Sequence, residues 1–176
     1  MNKKFINITR EQFIKELKNY LKDKNIIMFI WIQGIGKSTL AKELQKKYND
    51  IFILNADTIR QQYNTTNNKF VFWKLFDTFL EIQKKNRFTI ILDNTNINFN
   101  YRKWWYKKIK SKVNTFSFVL FPLNLQKALF QNEKRNIQVP NEVIIGYYNK
   151  YQPLLDKEIQ LLKDKTDNLL IFNLNY

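Results

Sequence analysis

The sequence predicts a three-layer α/β domain, a parallel sheet of about five strands flanked by helices, on three observations. Short apolar runs at 26–32, 51–54, 88–92, 115–121 and 169–174 alternate with longer stretches of helical period. The first run passes through a glycine turn directly into a helical stretch, the order of elements in a parallel-sheet unit. No repeat, linker or low-complexity tract interrupts the 176 residues, so they read as a single domain, 1–176.

At the amino end, Thr9 and Gln12 are spaced as a capping box, and Phe13, Leu17 and Leu21 recur at i, i+4, i+8. Residues 1–24 are therefore expected to contribute a helix packed on the core, its lysines forming a solvated face. The strand at 26–32 leads to Gln33-Gly34-Ile35-Gly36-Lys37-Ser38-Thr39 and then to a helix over 40–48. After the strand at 51–54, a short helix is expected over 58–63 and a loop over 64–68. A helix over 70–85 puts Val71, Leu75, Phe79 and Ile82 on one face. The strand at 88–92 ends in Asp93-Asn94-Thr95-Asn96-Ile97-Asn98. A helix over 101–112 follows, with Tyr101, Trp105 and Ile109 as its inner stripe. Pro122 closes the strand at 115–121, and residues 125–136 read as helix. Pro140 is suited to the first position of a helix running towards residue 163, which Pro153 kinks or divides. The last strand is 169–174.

Only three glycines occur in the chain, and two of them, Gly34 and Gly36, stand in one turn. Between a strand and a helix N-terminus, such a turn lets backbone amides close around an anion. Gly34, Ile35, Gly36, Lys37, Ser38 and Thr39 thus read as a phosphate cradle. Lys37 reaches the β/γ oxygens and the Ser38 hydroxyl supports Mg²⁺, so ATP and Mg²⁺ are the expected cofactors. Position 31, where the first glycine of G-x-x-x-x-G-K-[ST] would fall, holds Trp31, whose ring must point away from the loop or along the strand.

In parallel sheets the carboxyl ends of strands line the active-site crevice, which places Asp57 and Asp93 beside the phosphate site. Asp57 is suited to be a general base, with Arg60 on the same helix face to grip a phosphate; the pair also reads as a capping aspartate and a surface arginine. Asp93, closing an apolar strand after the glycine turn, has the position of a Mg²⁺-supporting carboxylate.

Lys and Arg outnumber Asp and Glu by 30 to 15, for a net charge of +15, which favours phosphate-rich partners. The same excess would follow from an AT-rich genome, so where the charge lies matters. Six cations and no acid crowd residues 101–112, interleaved with aromatics, as in a groove that tracks a nucleic-acid backbone. Cysteine and histidine are both absent, which excludes disulfides, thiol chemistry, His-based triads and His-ligated zinc. No apolar run approaches the length of a membrane span, and an intracellular soluble protein without membrane partners is expected. Oligomeric state is left open.

Four segments together resemble the phage-type polynucleotide 5′-kinase and its wider P-loop kinase family: WIQGIGKST, Asp57 to Arg60, DNTNIN followed by Arg102, and QNEKRNIQVPNEVI. The resemblance implies Lys37 and Ser38 acting on ATP phosphates and Mg²⁺, and Asp57 deprotonating a 5′-hydroxyl of DNA or RNA. It further implies that Arg60, with Asn96 and Arg102, contacts the accepting nucleotide, and that Arg135 reaches over the γ-phosphoryl from a helical lid at 122–139. Gln131 stands where the family's first lid arginine would be. The wider family also includes small-molecule kinases, and a nucleic-acid-binding module with a silent phosphate loop is the non-enzymatic alternative.

Overall fold

The computed structural model describes residues 1–32, 34–135 and 138–175. Its strands are β1 (Asn2–Thr9), β2 (Lys24–Ile30), β3 (Ile51–Leu54), β4 (Phe88–Leu92), β5 (Val113–Leu120) and β6 (Thr166–Asn175). They form one six-stranded sheet in the order β1-β6-β5-β2-β4-β3, and every pairing is parallel. The helices are α1 (Arg10–Glu16), α2 (Lys37–Lys47), α3 (Ala56–Tyr63), α4 (Asn68–Gln83), α5 (Phe99–Lys108), α6 (Leu125–Glu133), α7 (Asn141–Asn149) and α8 (Asp156–Leu162).

β2 organises the core because it is buried on both faces, and its alternate side chains feed two separate clusters. Ile27, Phe29 and Trp31 point to the layer that contains residues of α1, α2, α6 and α7. Ile26, Met28 and Ile30 point to the layer that contains residues of α4, α5 and α8. The chain runs from β2 to the edge at β3, returns to β4, and then crosses β2 to reach β5. A crevice opens at that reversal, outside the carboxyl ends of the strands.

The sheet has one strand more than expected. β1 was hidden because it is an edge strand paired only with β6, and most of its side chains are exposed, Phe5 by 61%. Its register rests on backbone pairing from Asn2↔Asn168 to Thr9↔Asn175 rather than on a buried face. The helix expected within 1–24 is present but short. Thr9 Oγ1 accepts from the Gln12 amide at 3.2 Å and the Thr9 amide donates to Gln12 Oε1 at 3.0 Å, so the capping box forms where strand becomes helix.

α5 differs from its expected span for a local reason, whereas the stretch past Pro140 is divided about Pro153 as expected. Asn98 Oδ1 accepts from the Tyr101 amide at 3.1 Å and starts α5 at Phe99. The buried side of α5 then consists of Arg102, Trp105 and Tyr106, continued by Ile109, while Tyr101 is exposed by 52%. Past Pro140, the helical stretch splits into α7 and α8, with Pro153 in the segment between them. Among the described residues no helix is long and apolar enough to cross a membrane.

Candidate phosphate and acceptor site

The phosphate loop follows β2. Gly34 and Gly36 both have φ of +89°, a left-handed conformation that glycine adopts without penalty. A Cβ on Gly36 would meet nothing within 4 Å, so the turn faces open space, and Gly36 caps α2 without a side chain. At Gly34 the constraint is contact: a Cβ would stand 2.5 Å from the Ala128 carbonyl oxygen of α6. The loop and the lid helix therefore touch backbone to backbone. A Gly34→Ala variant is expected to force them apart and weaken nucleotide binding about ten-fold in a titration.

Trp31 does not intrude on the loop. Its ring is 1% exposed and packs edge-on against Tyr151 at 5.4 Å, and its backbone amide donates to the Thr95 carbonyl at 3.0 Å. The residue thereby ties the end of β2 to the loop after β4. Ile35, expected among the nucleotide-binding residues, is 2% exposed with its side chain in the core. Ser38 and Thr39 are exposed in the first turn of α2 and line the cavity. Gln33, and Asn136 and Ile137 of the lid segment, lie outside the described residues.

Lys37 opens α2, and its Nζ donates to the Ile32 carbonyl at 2.6 Å, closing the loop on itself. Burial lowers its pKa from 10.5 to about 8; Asp93 and Asp57 pull it back up, and Arg135 lowers it further. The unfolded chain holds this proton up to about pH 10.5, whereas the folded chain releases it near pH 8. The Lys37 contribution thus penalises the folded state below pH 8, and the penalty is relieved as pH rises between the two values. A bound polyphosphate favours the charged ammonium. Nucleotide binding is therefore expected to take up close to one proton at about pH 9 and to weaken above pH 8, measurable by calorimetry in two buffers of different ionisation heat. Lys37→Ala should abolish the uptake.

Asn55, Asp57 and Asp93 converge from β3 and β4. Asn55 caps α3 by accepting from the Asp57 and Thr58 amides at 2.8 and 3.2 Å. Its Nδ2 donates to both the carbonyl (2.9 Å) and Oδ2 (2.7 Å) of Asp93. Sequence reasoning missed Asn55, although an asparagine directly before the helix was readable as its cap. Asn94 Oδ1 accepts from the Ala56 amide at 3.1 Å, a second tie between these strand ends. Asp93 is 3% exposed, and its Oδ1 is buried without a hydrogen-bond partner.

Asp93 lines the same cavity as Ser38, and its unpartnered carboxylate oxygen fits a Mg²⁺ ion carried with nucleotide phosphates. Among the described residues no group of three or more His, Cys, Asp or Glu could cage a metal alone.

Asp57 and Arg60 are joined directly, Arg60 Nη1 donating to Asp57 Oδ1 at 2.6 Å, and Arg60 Nη2 donates to Asn68 Oδ1 at 2.9 Å. Both line a cavity of about 950 Å³ that also takes in Lys37, Asp93, Gln131 and Arg135. Five of the expected functional side chains, Lys37, Ser38, Asp57, Arg60 and Asp93, thus meet around one space, with Arg135 at its lid side.

Asn96 and Arg102 are used otherwise. Asn96 borders the cavity but is 2% exposed, and its Nδ2 is spent on the carbonyls of Phe29, Leu92 and Asn94 at 2.9, 3.2 and 3.3 Å. Arg102 is fully buried: it pairs with Glu158 at 2.7 and 2.6 Å and donates to the carbonyls of Asn96, Gln152 and Pro153. The expectation that Arg102 contacts substrate is corrected, because the register of α5 turns it into the core.

On the lid side, Asn132 holds the ends of α6 and α7 together. Its Nδ2 donates to the Val139 carbonyl at 2.7 Å and its Oδ1 accepts from the Val139 amide at 3.0 Å.

A parallel sheet with a glycine loop between its central strand and a helix, and carboxylates at the two neighbouring strand ends, defines a nucleotide-binding domain of the P-loop kinase fold. A family model described as an AAA domain matches residues 26–154, and the chain belongs to that family. Over 135 residues it is 29% identical to the L-seryl-tRNA(Sec) kinase of Methanococcus maripaludis, covering 72% of this chain and 52% of that protein. A chain of the Pnkp1/Rnl/Hen1 RNA repair complex superposes with a TM-score of 0.62 at 17% identity, over 84% of this chain and 49% of that one. A fungal RNA kinase superposes with a TM-score of 0.59 at 16% identity, over 87% and 76% of the two chains. At such identities the structural likenesses show the fold. The chain spans about half the length of the tRNA kinase and of the repair-complex chain.

Proposed function

We propose that the protein is an ATP-dependent kinase that transfers the γ-phosphoryl group to a 5′-hydroxyl end of nucleic acid. The observation that carries this reading is the Asp57–Arg60 pair, which opens on the same cavity as Lys37. A general base and an anion grip stand there three residues apart, on the acceptor side of the phosphate loop.

The phosphate loop and Lys37 hold the β- and γ-phosphates. Asp57 accepts the proton of the incoming hydroxyl while its oxygen bonds to the γ-phosphorus and the bond to the β–γ bridging oxygen breaks, releasing ADP. Arg60 holds the acceptor's neighbouring phosphate, and Arg135 faces the transferred group from the lid. Asp93 and Ser38 would hold Mg²⁺, which supplies neutralisation of phosphate charge when bound.

The identity to a kinase named for seryl-tRNA favours a second reading, a hydroxyl carried on RNA other than its 5′ end. Labelled γ-phosphoryl transfer from Mg·ATP to 5′-hydroxyl DNA and RNA oligonucleotides, beside seryl-tRNA and a nucleoside panel at two salt concentrations, separates these. Transfer to oligonucleotide ends that fades steeply with salt is expected, because binding phosphates releases counterions. Transfer only to seryl-tRNA or only to nucleosides would overturn the 5′-end reading.

A further inference from the structure

Beyond the Asp57–Arg60 pair the cavity continues along a wall that phosphate transfer does not need. Phe72 and Trp73 of α4 and Tyr101 of α5 line it and are exposed by 40%, 57% and 52%. Large aromatics so exposed, clustered on one cavity, are an unpaid cost in a protein that gains nothing from them. Trp104 completes the wall and is already held in place by edge-on contacts with Phe72, Phe76 and Trp105 at 5.9, 6.1 and 4.8 Å.

Cations outnumber acids in the lining of the cavity, Lys37, Arg60, Lys69 and Arg135 against Asp57 and Asp93, and Asp77 stands one turn from Trp73 on α4. Lys74 Nζ lies 4.9 Å from the Trp73 ring centre, and Lys108 Nζ lies 4.2 Å from that of Phe76 and 5.3 Å from that of Trp104. α5 carries no acidic residue. Aromatic faces bordered by cations complement a polymer of flat bases on an anionic backbone. Stacking on side chains replaces base–base stacking, so it is gained only by a base with a free face.

Resting on the 5′-kinase reading, we infer that the α4–α5 wall is a base-stacking platform that selects unpaired nucleic-acid ends, with Trp73 as its exposed face and Trp104 as its packed one. The terminal hydroxyl lies at Asp57, and the first bases run out along the wall. The site would take single-stranded RNA or DNA and disfavour a 5′ end recessed within a duplex.

The test measures KM and kcat for a single-stranded 5′-hydroxyl oligonucleotide, its counterpart with abasic first and second nucleotides, and a recessed duplex end. Binding of each is followed separately by fluorescence quenching or anisotropy. Trp73→Ala and Trp73→Phe are compared with the unaltered protein; Trp73 is too exposed for its loss to threaten folding. The expected result is about a ten-fold higher KM for the abasic and recessed ends. Trp73→Ala should raise KM for the intact single strand to a similar degree and largely erase the abasic penalty. Trp73→Phe should restore most of the difference, and KM for ATP should stay within two-fold throughout. Transfer that is indifferent to the abasic sites and to Trp73 would overturn the platform while keeping the kinase. Base-dependent, Trp73-dependent binding without transfer would keep the platform and remove the kinase reading; absence of both would remove both.

Discussion

Arg102→Met is expected to destabilise the protein by about 3–5 kcal/mol, the usual cost of removing one partner of a buried ion pair. For a chain of this length that corresponds to a fall of roughly ten degrees in melting temperature, measurable by calorimetry or circular dichroism. All five guanidinium N–H donors are used: Nε and one Nη2 hydrogen on Glu158, both Nη1 hydrogens on the Asn96 and Gln152 carbonyls, and the other Nη2 hydrogen on the Pro153 carbonyl. Glu158 is fully buried, and it also accepts from Tyr106 Oη at 2.7 Å and from the Leu155 amide at 3.1 Å. Methionine would leave this carboxylate without its counter-charge. The Arg102→Met, Glu158→Leu double variant is expected to regain much of the loss, because two apolar groups no longer require solvation. Arg102→Lys should rescue poorly, since an ammonium cannot span carboxylate and three carbonyls in one plane. A single variant that melts within two degrees of the parent would show that the network contributes little.

This network marks where the sequence stops being legible. Arg102 follows DNTNIN at a spacing that resembles a substrate contact, and the local cue to a helix starting at Phe99, the Asn98 cap, does not say which side of α5 turns inward. Its partner Glu158 lies 56 residues away, one acid among the charges of a short amphipathic helix, and only the fold brings them together. β1 escaped for the opposite reason: at the sheet edge it has no buried face to impose a pattern, and its pairing with β6 is made by backbone groups that every sequence carries. Asn96 resembled a ligand-binding residue but serves the backbone, its amide filling three carbonyls around a left-handed turn at φ +47°. By contrast, β2 and β4 are buried on both faces and read as continuous apolar runs. Once those strands are found, parallel pairing alone carries Lys37, Asp57 and Asp93 to one edge of the sheet. Trp31 stands where the motif has glycine because the structural need for glycine falls at Gly34 and Gly36, where φ is positive.

Asp57→Asn is expected to lower phosphoryl transfer by about 10²- to 10⁴-fold, the range for loss of a positioned general base. Affinity for ATP should be nearly unchanged, because the phosphate loop and Lys37 are left in place. The Asp57 side chain is 62% exposed, so the change should not alter the melting temperature beyond a degree or two. A rate loss without a stability loss is what separates a chemical role from a structural one here. Asparagine still accepts one hydrogen bond from Arg60, which preserves the shape of the pair and removes its charge and basicity. Arg60→Ala divides the roles further: it should raise KM for the acceptor much more than it lowers kcat, since a phosphate grip acts in binding as well as in the transition state. Single-turnover transfer with saturating ATP and acceptor reads the Asp57 effect directly. If Asp57→Asn turns over within two-fold of the parent, Asp57 only stands in the first turn of α3 and pairs with Arg60, and the proton must leave by another route.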